Sequence, residues 1–266
     1  MKASKFSGKL TPVIAFTFPV LLVVGVLTVL IGASHMSFVF SLILPVLVIF
    51  NLLQIFLLLL KRSKKVIAHL FALLVFFSFF DGFYQFNVKV EPIANSIKIV
   101  SFNTYQFKTS SRGIDNGEQK IISFIKETKP DIICFQEFSA IKYKLFSKEY
   151  PHWVKTNIMV PHKSVMSVFS KYPIVNKGFI EFSNSINNTM FVDVEIQGEV
   201  LRFYNVHLES YKTNTMYQLN EPNGFRTLIK QVFEADKIRA HQARLVKTHA
   251  DGFNGKTIIV GDFNST

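Results

Sequence analysis

Two uncharged apolar runs, Leu10 to Ala33 and Phe38 to Leu60, constrain this 266-residue chain more than any other feature. Each exceeds the roughly 20 apolar residues that a helix needs to cross a bilayer. Pro12, Pro19 and Pro45 would damage a helix in water but are tolerated in lipid, where neighbouring helices satisfy the freed backbone groups. Asn51 and Gln54 are expected to face such a neighbour. A third run, Val66 to Phe80, is interrupted at Asp81, so a third span has to extend through Phe86 near the interface or tilt little. His69, near its start, has no acidic or Cys partner at metal-binding spacing and reads as an interfacial residue rather than a ligand.

The charges divide the chain as sharply as the apolar runs do. Before Asn87 there are seven basic residues against one acidic residue, and after it 23 against 17, so each part carries an excess of six. Such a balance in the second part is a weak nucleic-acid signature and suits an anionic membrane or a polyanionic substrate equally well. Lys2, Lys5 and Lys9 precede the first span and Lys61-Arg62-Ser63-Lys64-Lys65 follows the second, whereas the Ser34 to Ser37 loop has no Lys or Arg. The excess of positive charge places both basic segments on the cytoplasmic side. Three spans then put everything after Asn87 beyond the inner (cytoplasmic) membrane. If Val66 to Phe86 lies flat instead, the domain returns to the cytoplasm. The first run starts like a signal peptide, but its apolar region is longer than usual, which favours an uncleaved anchor. The expected organisation is a multi-pass anchor over 1–86 (spans at about 10–33, 38–60 and 66–86), a linker over 87–96 and a soluble domain over 97–266. The lone Cys134 lies in an apolar strand pattern and excludes an intrachain disulfide or a Cys-based zinc site.

The soluble part alternates strand and helix patterns. Strands are expected at Ile97 to Phe102, Asp131 to Phe135, Val165 to Phe169, Phe191 to Ile196, Leu201 to Val206 and from Thr257, and helices at Gln119 to Thr128 and Arg226 to about His249. Four strands run into a polar residue: Asn103, Glu137, His207 and Asp262. Glu137 suits a hard cation such as Mg²⁺, which takes oxygen ligands, and Asn103 could complete or orient that shell. Asp262 can orient or deprotonate a water, and the amide of Asn264 can donate to a phosphoryl oxygen as charge builds there. The bland readings stand beside these: Gly261, Asp262 and Asn264 are ordinary turn residues, Glu137 an exposed charge, Asn103 a turn cap and His207 a donor to a buried carbonyl.

Taken together, Ser101-Phe102-Asn103, Pro130 to Glu137, Val168 to Ile174, Asn205 to Ser210, the Arg239 and Gln242 pair and Gly261-Asp262-Phe263-Asn264 resemble the successive motifs of the endonuclease/exonuclease/phosphatase superfamily. The His207-Leu208 pair is similar to its deoxyribonuclease and sphingomyelinase-like branch. The resemblance implies an α/β fold, with N-terminal transmembrane helices followed by a four-layer α/β sandwich, and Mg²⁺-dependent (Mn²⁺ as a substitute) attack of water on a phosphate ester. By position it makes Glu137 the metal ligand and Asn103 its neighbour, His207 a phosphate contact, Asp262 the water-orienting group and Asn264 a transition-state donor. Family members continue past this last motif to an Asp-His pair, and His241 and His249 lack the Ser-Asp-His context. The resemblance therefore implies an incomplete sandwich, and an inactive chain that is a fragment of a longer enzyme.

Two functions from different classes follow. One is a membrane-anchored phosphoesterase acting on nucleic acid or a phospholipid headgroup, with the lipid bilayer as its other partner and no sign of an obligate protein partner. The other is an anchored binding or vestigial domain without turnover.

Overall fold

The computed structural model describes residues 7–32, 35–79, 96–107, 116–156, 163–183, 185–211 and 224–264. The chain divides between Glu91 and Pro92 into two units, each with its own core.

The first unit holds α1 (Ser7–Ile31), α2 (His35–Leu60) and α3 (Val66–Phe79). A narrow seam of Leu22, Val26, Leu44, Leu47, Ala72, Leu73 and Phe76 joins the three helices. Most of the remaining apolar side chains point outward, with Ile49, Leu60 and Leu74 each more than 60% exposed. Among the described residues one stretch, Val39–Leu60, is long and apolar enough to cross a membrane by length and composition, while Phe16–Ile31 and Val66–Phe79 are shorter apolar helices. Residues 80–86, which the third span would use, lie outside the described residues.

Asn51 faces a neighbouring helix as expected: its Nδ2 donates to the carbonyl of Phe18 on α1 at 3.2 Å, and to that of Leu47 in its own helix at 2.8 Å. His69 departs from expectation. It is fully buried rather than interfacial, and its Nδ1 lies 2.8 Å from Asn51 Oδ1. An apolar run conceals such a pairing because the partner is 18 residues away on another helix.

In the second unit, β1 (Ile99–Asn103), β2 (Ile132–Gln136), β3 (His152–Lys155) and β4 (Ser167–Ser170) form one sheet in the order β1-β2-β4-β3. A second sheet takes β5 (Ile174–Glu181), β6 (Asn188–Ile196), β7 (Glu199–His207) and β8 (Lys256–Asp262) in chain order. Both sheets are mixed: β1 with β2 and β7 with β8 are parallel, and the other pairs antiparallel. Strict alternation of side chains distributes the apolar residues over three cores. Ile132, Cys134 and Val168 meet Met190, Val192, Val194 and Phe203 between the sheets. Ile133, Phe135 and Phe169 point the other way, toward Ile125 of α4 (Gly117–Thr128). Tyr204 and Val206 likewise turn outward to Val246 and Ala250 of α5 (Gly224–Asp251). The result is helix, sheet, sheet, helix. Cys134 is buried, and its burial pushes the thiol up to about 12, so it serves as a small apolar residue.

The expected helices and strands all form, with shifts of a few residues at their ends. The sequence reading missed β3 and β5. Both are edge strands, and edges carry the mixed, charge-containing patterns that alternation rules pass over.

Candidate active site

Parallel pairing carries the C-terminal ends of β1 and β2, and those of β7 and β8, each to one side of their sheet. The last paired residues are Asn103 with Gln136 and His207 with Asp262. Asn103 and Asp262 are in register with the inward-facing Ile99, Ile258 and Val260, and His207 with the inward-facing Phe203. The two halves meet at one amide: Asn103 Nδ2 donates to Glu137 Oε1 at 3.1 Å and to Asp262 Oδ2 at 2.9 Å. Asn103 Oδ1 accepts from the backbone N–H of Tyr105 at 3.0 Å, which fixes which end of the amide faces the carboxylates. In this arrangement Asn103 is a donor to the acids, with its oxygen turned to the backbone.

Glu137 adopts a left-handed backbone with φ 47°. A non-glycine residue there costs on the order of 1–3 kcal/mol and persists only where its surroundings hold it. Its carbonyl is held by Gln106 N–H at 2.7 Å and Thr104 Oγ1 at 2.8 Å, and the next N–H donates to Val165 O at 2.7 Å. The turn after β1 therefore clamps the turn after β2.

His207 is buried, and its Nε2 lies 3.8 Å from Glu137 Oε1 and 3.9 Å from Asp262 Oδ2, outside hydrogen-bond reach. Burial holds its pKa below the usual histidine value, overcoming the opposing pull of Asp262, Glu137 and Glu209, so the ring is neutral at pH 7. Nδ1 is buried without a hydrogen-bond partner, so no donation to a backbone carbonyl is formed there. Asp262 Oδ1 accepts from Asn264 N–H at 3.0 Å, and Asn264 Nδ2 donates to Leu208 O at 2.8 Å. One amide hydrogen of Asn264 is thus committed to the backbone, and the other has no partner among the described residues.

All five residues singled out in the sequence lie at this one end. The pairings of the side chains that support them were not legible. Gln136 Nε2 donates to Asn205 Oδ1 at 2.6 Å, and Asn205 Nδ2 donates to Phe135 O at 3.0 Å and Ser167 O at 3.1 Å, all buried between the sheets. The segment after His207 is held from α5, where Gln242 Oε1 accepts from Glu209 N–H at 2.8 Å and Arg239 donates to Tyr211 Oη at 2.8 Å. Gln136, Asn205, Arg239 and Gln242 all fall in the stretches that resemble the family's motifs, but nothing in the sequence assigned them these partners.

Residues 100–266 match the family model described as Endonuclease/Exonuclease/phosphatase family. The chain belongs to this family. No curated protein matches it. Among solved structures of similar chain path are a D. rerio TDP2 humanised by 14 mutations, with TM-score 0.47, 16% identity, and coverage of 64% of this chain and 63% of that one. A second is sphingomyelinase C from Streptomyces griseocarneus, with TM-score 0.46, 17% identity and 64% coverage of each chain. A third is a β-hairpin deletion mutant of beta toxin from Staphylococcus aureus, with TM-score 0.43, 20% identity and coverage of 64% and 68%. The chain spans less than two thirds of the length of the first two.

As a member of this family the chain carries a donor set that fits a hard cation. Glu137 and Asp262 come within reach of the same amide nitrogen, their side chains are about 30% exposed, and among the described residues no Lys or Arg pairs with either. No cluster of three or more His, Cys, Asp or Glu side chains arranged to hold a metal occurs among the described residues. Mg²⁺ does not require one, since one or two carboxylates, water and substrate oxygens complete its shell.

Proposed function

We propose that the protein is a membrane-anchored, metal-dependent phosphoesterase that hydrolyses phosphodiesters in nucleic acid or in phospholipid headgroups. One observation carries this reading: two carboxylates from different sheets converge on Asn103 with a neutral histidine between them and, among the described residues, no cationic side chain to balance them. Two negative charges so placed repel each other, and a bound cation relieves that repulsion.

Glu137 would supply the carboxylate that holds Mg²⁺ or Mn²⁺, with Asn103 keeping Glu137 and Asp262 side by side. When bound there, the ion neutralises charge on the phosphoryl group. Asp262, with both oxygens anchored and its side chain partly open to solvent, is positioned to orient a water and accept its proton. The uncommitted amide hydrogen of Asn264 donates to a phosphoryl oxygen as charge accumulates. His207, carrying its proton on Nε2, offers a further N–H to an anion bound beside the acids. The apolar outer faces of α1, α2 and α3 support the anchor, and the basic segments around Lys5 and Lys64 support a cytoplasmic face for both, which puts the domain outside the inner membrane if α3 extends into a span.

The test uses the full-length protein in detergent with bis-p-nitrophenyl phosphate, single-stranded DNA and phospholipid vesicles as alternative substrates. Hydrolysis should vanish with chelator, return with Mg²⁺ or Mn²⁺, and fall at least about 100-fold in Glu137→Gln and Asp262→Asn, the scale of a lost electrostatic or acid-base contribution. Full activity in chelator, or in either variant, would overturn the assignment.

A further inference from the structure

Beside the start of α3 lies a crevice of about 550 Å³ lined by Phe16 of α1 and by Lys64, Lys65, Ile67, Ala68 and Phe71. Four of its six walls are apolar, and Phe16, Ile67 and Phe71 remain 42%, 65% and 59% exposed. Both polar walls are lysines at one end. Lys65 Nζ stands 6.0 Å from the centroid of the Phe16 ring, which draws the ammonium over the crevice. The first backbone N–H groups there are already taken: Val66, Ile67 and Ala68 donate to the carbonyls of Ser63, Lys64 and Lys65. Any anion is therefore met by the two ammonium groups and not by the helix end. No acidic residue occurs before Asp81 to compete for them.

We infer that this crevice binds one anionic glycerophospholipid, its phosphate between Lys64 and Lys65 and an acyl chain along Phe16, Ala68 and Phe71. The inference rests on the membrane-anchor reading above. A cationic mouth on an apolar wall matches a lipid with a charged head and fits neither a free phosphate, which has no use for the wall, nor a zwitterionic lipid, whose own ammonium repels the lysines. Long lysine stems lie along apolar surface while the charge stays at the interface, so both groups reach the headgroup level. Each lysine near an anionic headgroup contributes about fivefold in affinity, or roughly 30-fold for the pair.

The full-length protein in a neutral detergent would be titrated with phosphatidylglycerol or phosphatidylcholine, and bound lipids counted by native mass spectrometry. Phosphatidylglycerol should bind more tightly, and Lys64→Gln with Lys65→Gln should weaken it roughly 30-fold toward the phosphatidylcholine value. Lys61→Gln with Arg62→Gln, which removes the same charge outside the crevice, should change it less than about threefold, and Lys64→Arg with Lys65→Arg should retain binding. Equal binding of the two lipids by the wild type, or equal losses in the two Gln pairs, would overturn the site. Alkaline carbonate extraction of membranes tests the anchor separately: release of the wild type overturns the anchor, whereas retention without lipid preference overturns the crevice alone.

Discussion

Gln136 Nε2 donates to Asn205 Oδ1 at 2.6 Å, and through this bond the two sheets are joined directly beneath the acids they contribute. Gln136 ends β2 immediately before Glu137, and Asn205 lies in β7 two residues before His207, so each member of the bond adjoins a site residue. Both side chains are buried, and Gln136 also donates to Ser101 Oγ at 3.1 Å and Cys134 O at 3.2 Å. Such a network is rigid only while every member is satisfied.

Asn205→Ala should therefore destabilise the protein by about 2–4 kcal/mol, because it removes three buried hydrogen bonds, those with Gln136 Nε2, Phe135 O and Ser167 O. A double-mutant cycle with Gln136→Ala should give a coupling of about 1 kcal/mol or more, measured by chemical unfolding. If the two losses simply add, the bond does not link the sheets energetically.

This joint marks where the sequence stopped being readable. Asn103, Glu137, His207 and Asp262 could be found because each follows an apolar strand, and parallel pairing of β1 with β2 and of β7 with β8 brings such ends together. The layering was legible for the same reason, since alternate residues such as Ile132 and Ile133 serve different cores. What a sequence does not encode locally is which polar group answers which. Asn103 could be read as a ligand, yet its oxygen turns to Tyr105 and its N–H to the acids. His69 could be read as interfacial, yet it is buried against Asn51. Both outcomes depend on partners from other elements. Edge strand β3 was missed because it has only 4 residues, and β5 because most of its residues are exposed.

The Asp193 and Arg202 pair predicts an acid limit to stability. Arg202 Nε and a terminal nitrogen donate to Asp193 at 2.7 and 2.8 Å, Asn176 adds a bond at 2.9 Å, and the guanidinium lies between the rings of Phe191 and Phe253. Burial alone would raise the Asp193 pKa, but the bonds from Arg202 and Asn176 outweigh it and hold the carboxyl below its ordinary value. An acid with a depressed folded-state pKa stabilises the fold above its unfolded value, near 4, and loses that contribution as pH falls through the lower folded value. Thermal melts should show the wild type losing stability below about pH 4, and Asp193→Asn should be less stable at pH 7 with a shallower fall in acid. An unchanged acid slope in the variant would show that other carboxylates set the limit.

Gly261 determines whether β8 can deliver Asp262 at all. Its φ is +146°, and a Cβ built there would stand 2.0 Å from Val206 O and 2.6 Å from Val206 N, inside the backbone of the paired strand β7. No side-chain rearrangement relieves a clash with backbone, so an alanine has to push β8 away from β7 at the residue before Asp262. That shift would separate Asp262 from Asn103 and break the Leu208 N–H bond to Asp262 O, which is 2.9 Å in the native arrangement. Gly198 offers the control: its φ is +83° but nothing lies within 4 Å of the added Cβ, so Gly198→Ala carries only the conformational penalty, about 1 kcal/mol. Gly261→Ala should cost several times as much, more than about 4 kcal/mol, as expected when a core element is displaced. Phosphodiester hydrolysis by any folded fraction should fall with it, and Gly198→Ala should retain activity. Equal stability losses in the two variants, read from urea midpoints, would mean that β8 is not tightly docked on β7 and that Asp262 reaches Asn103 by some other constraint.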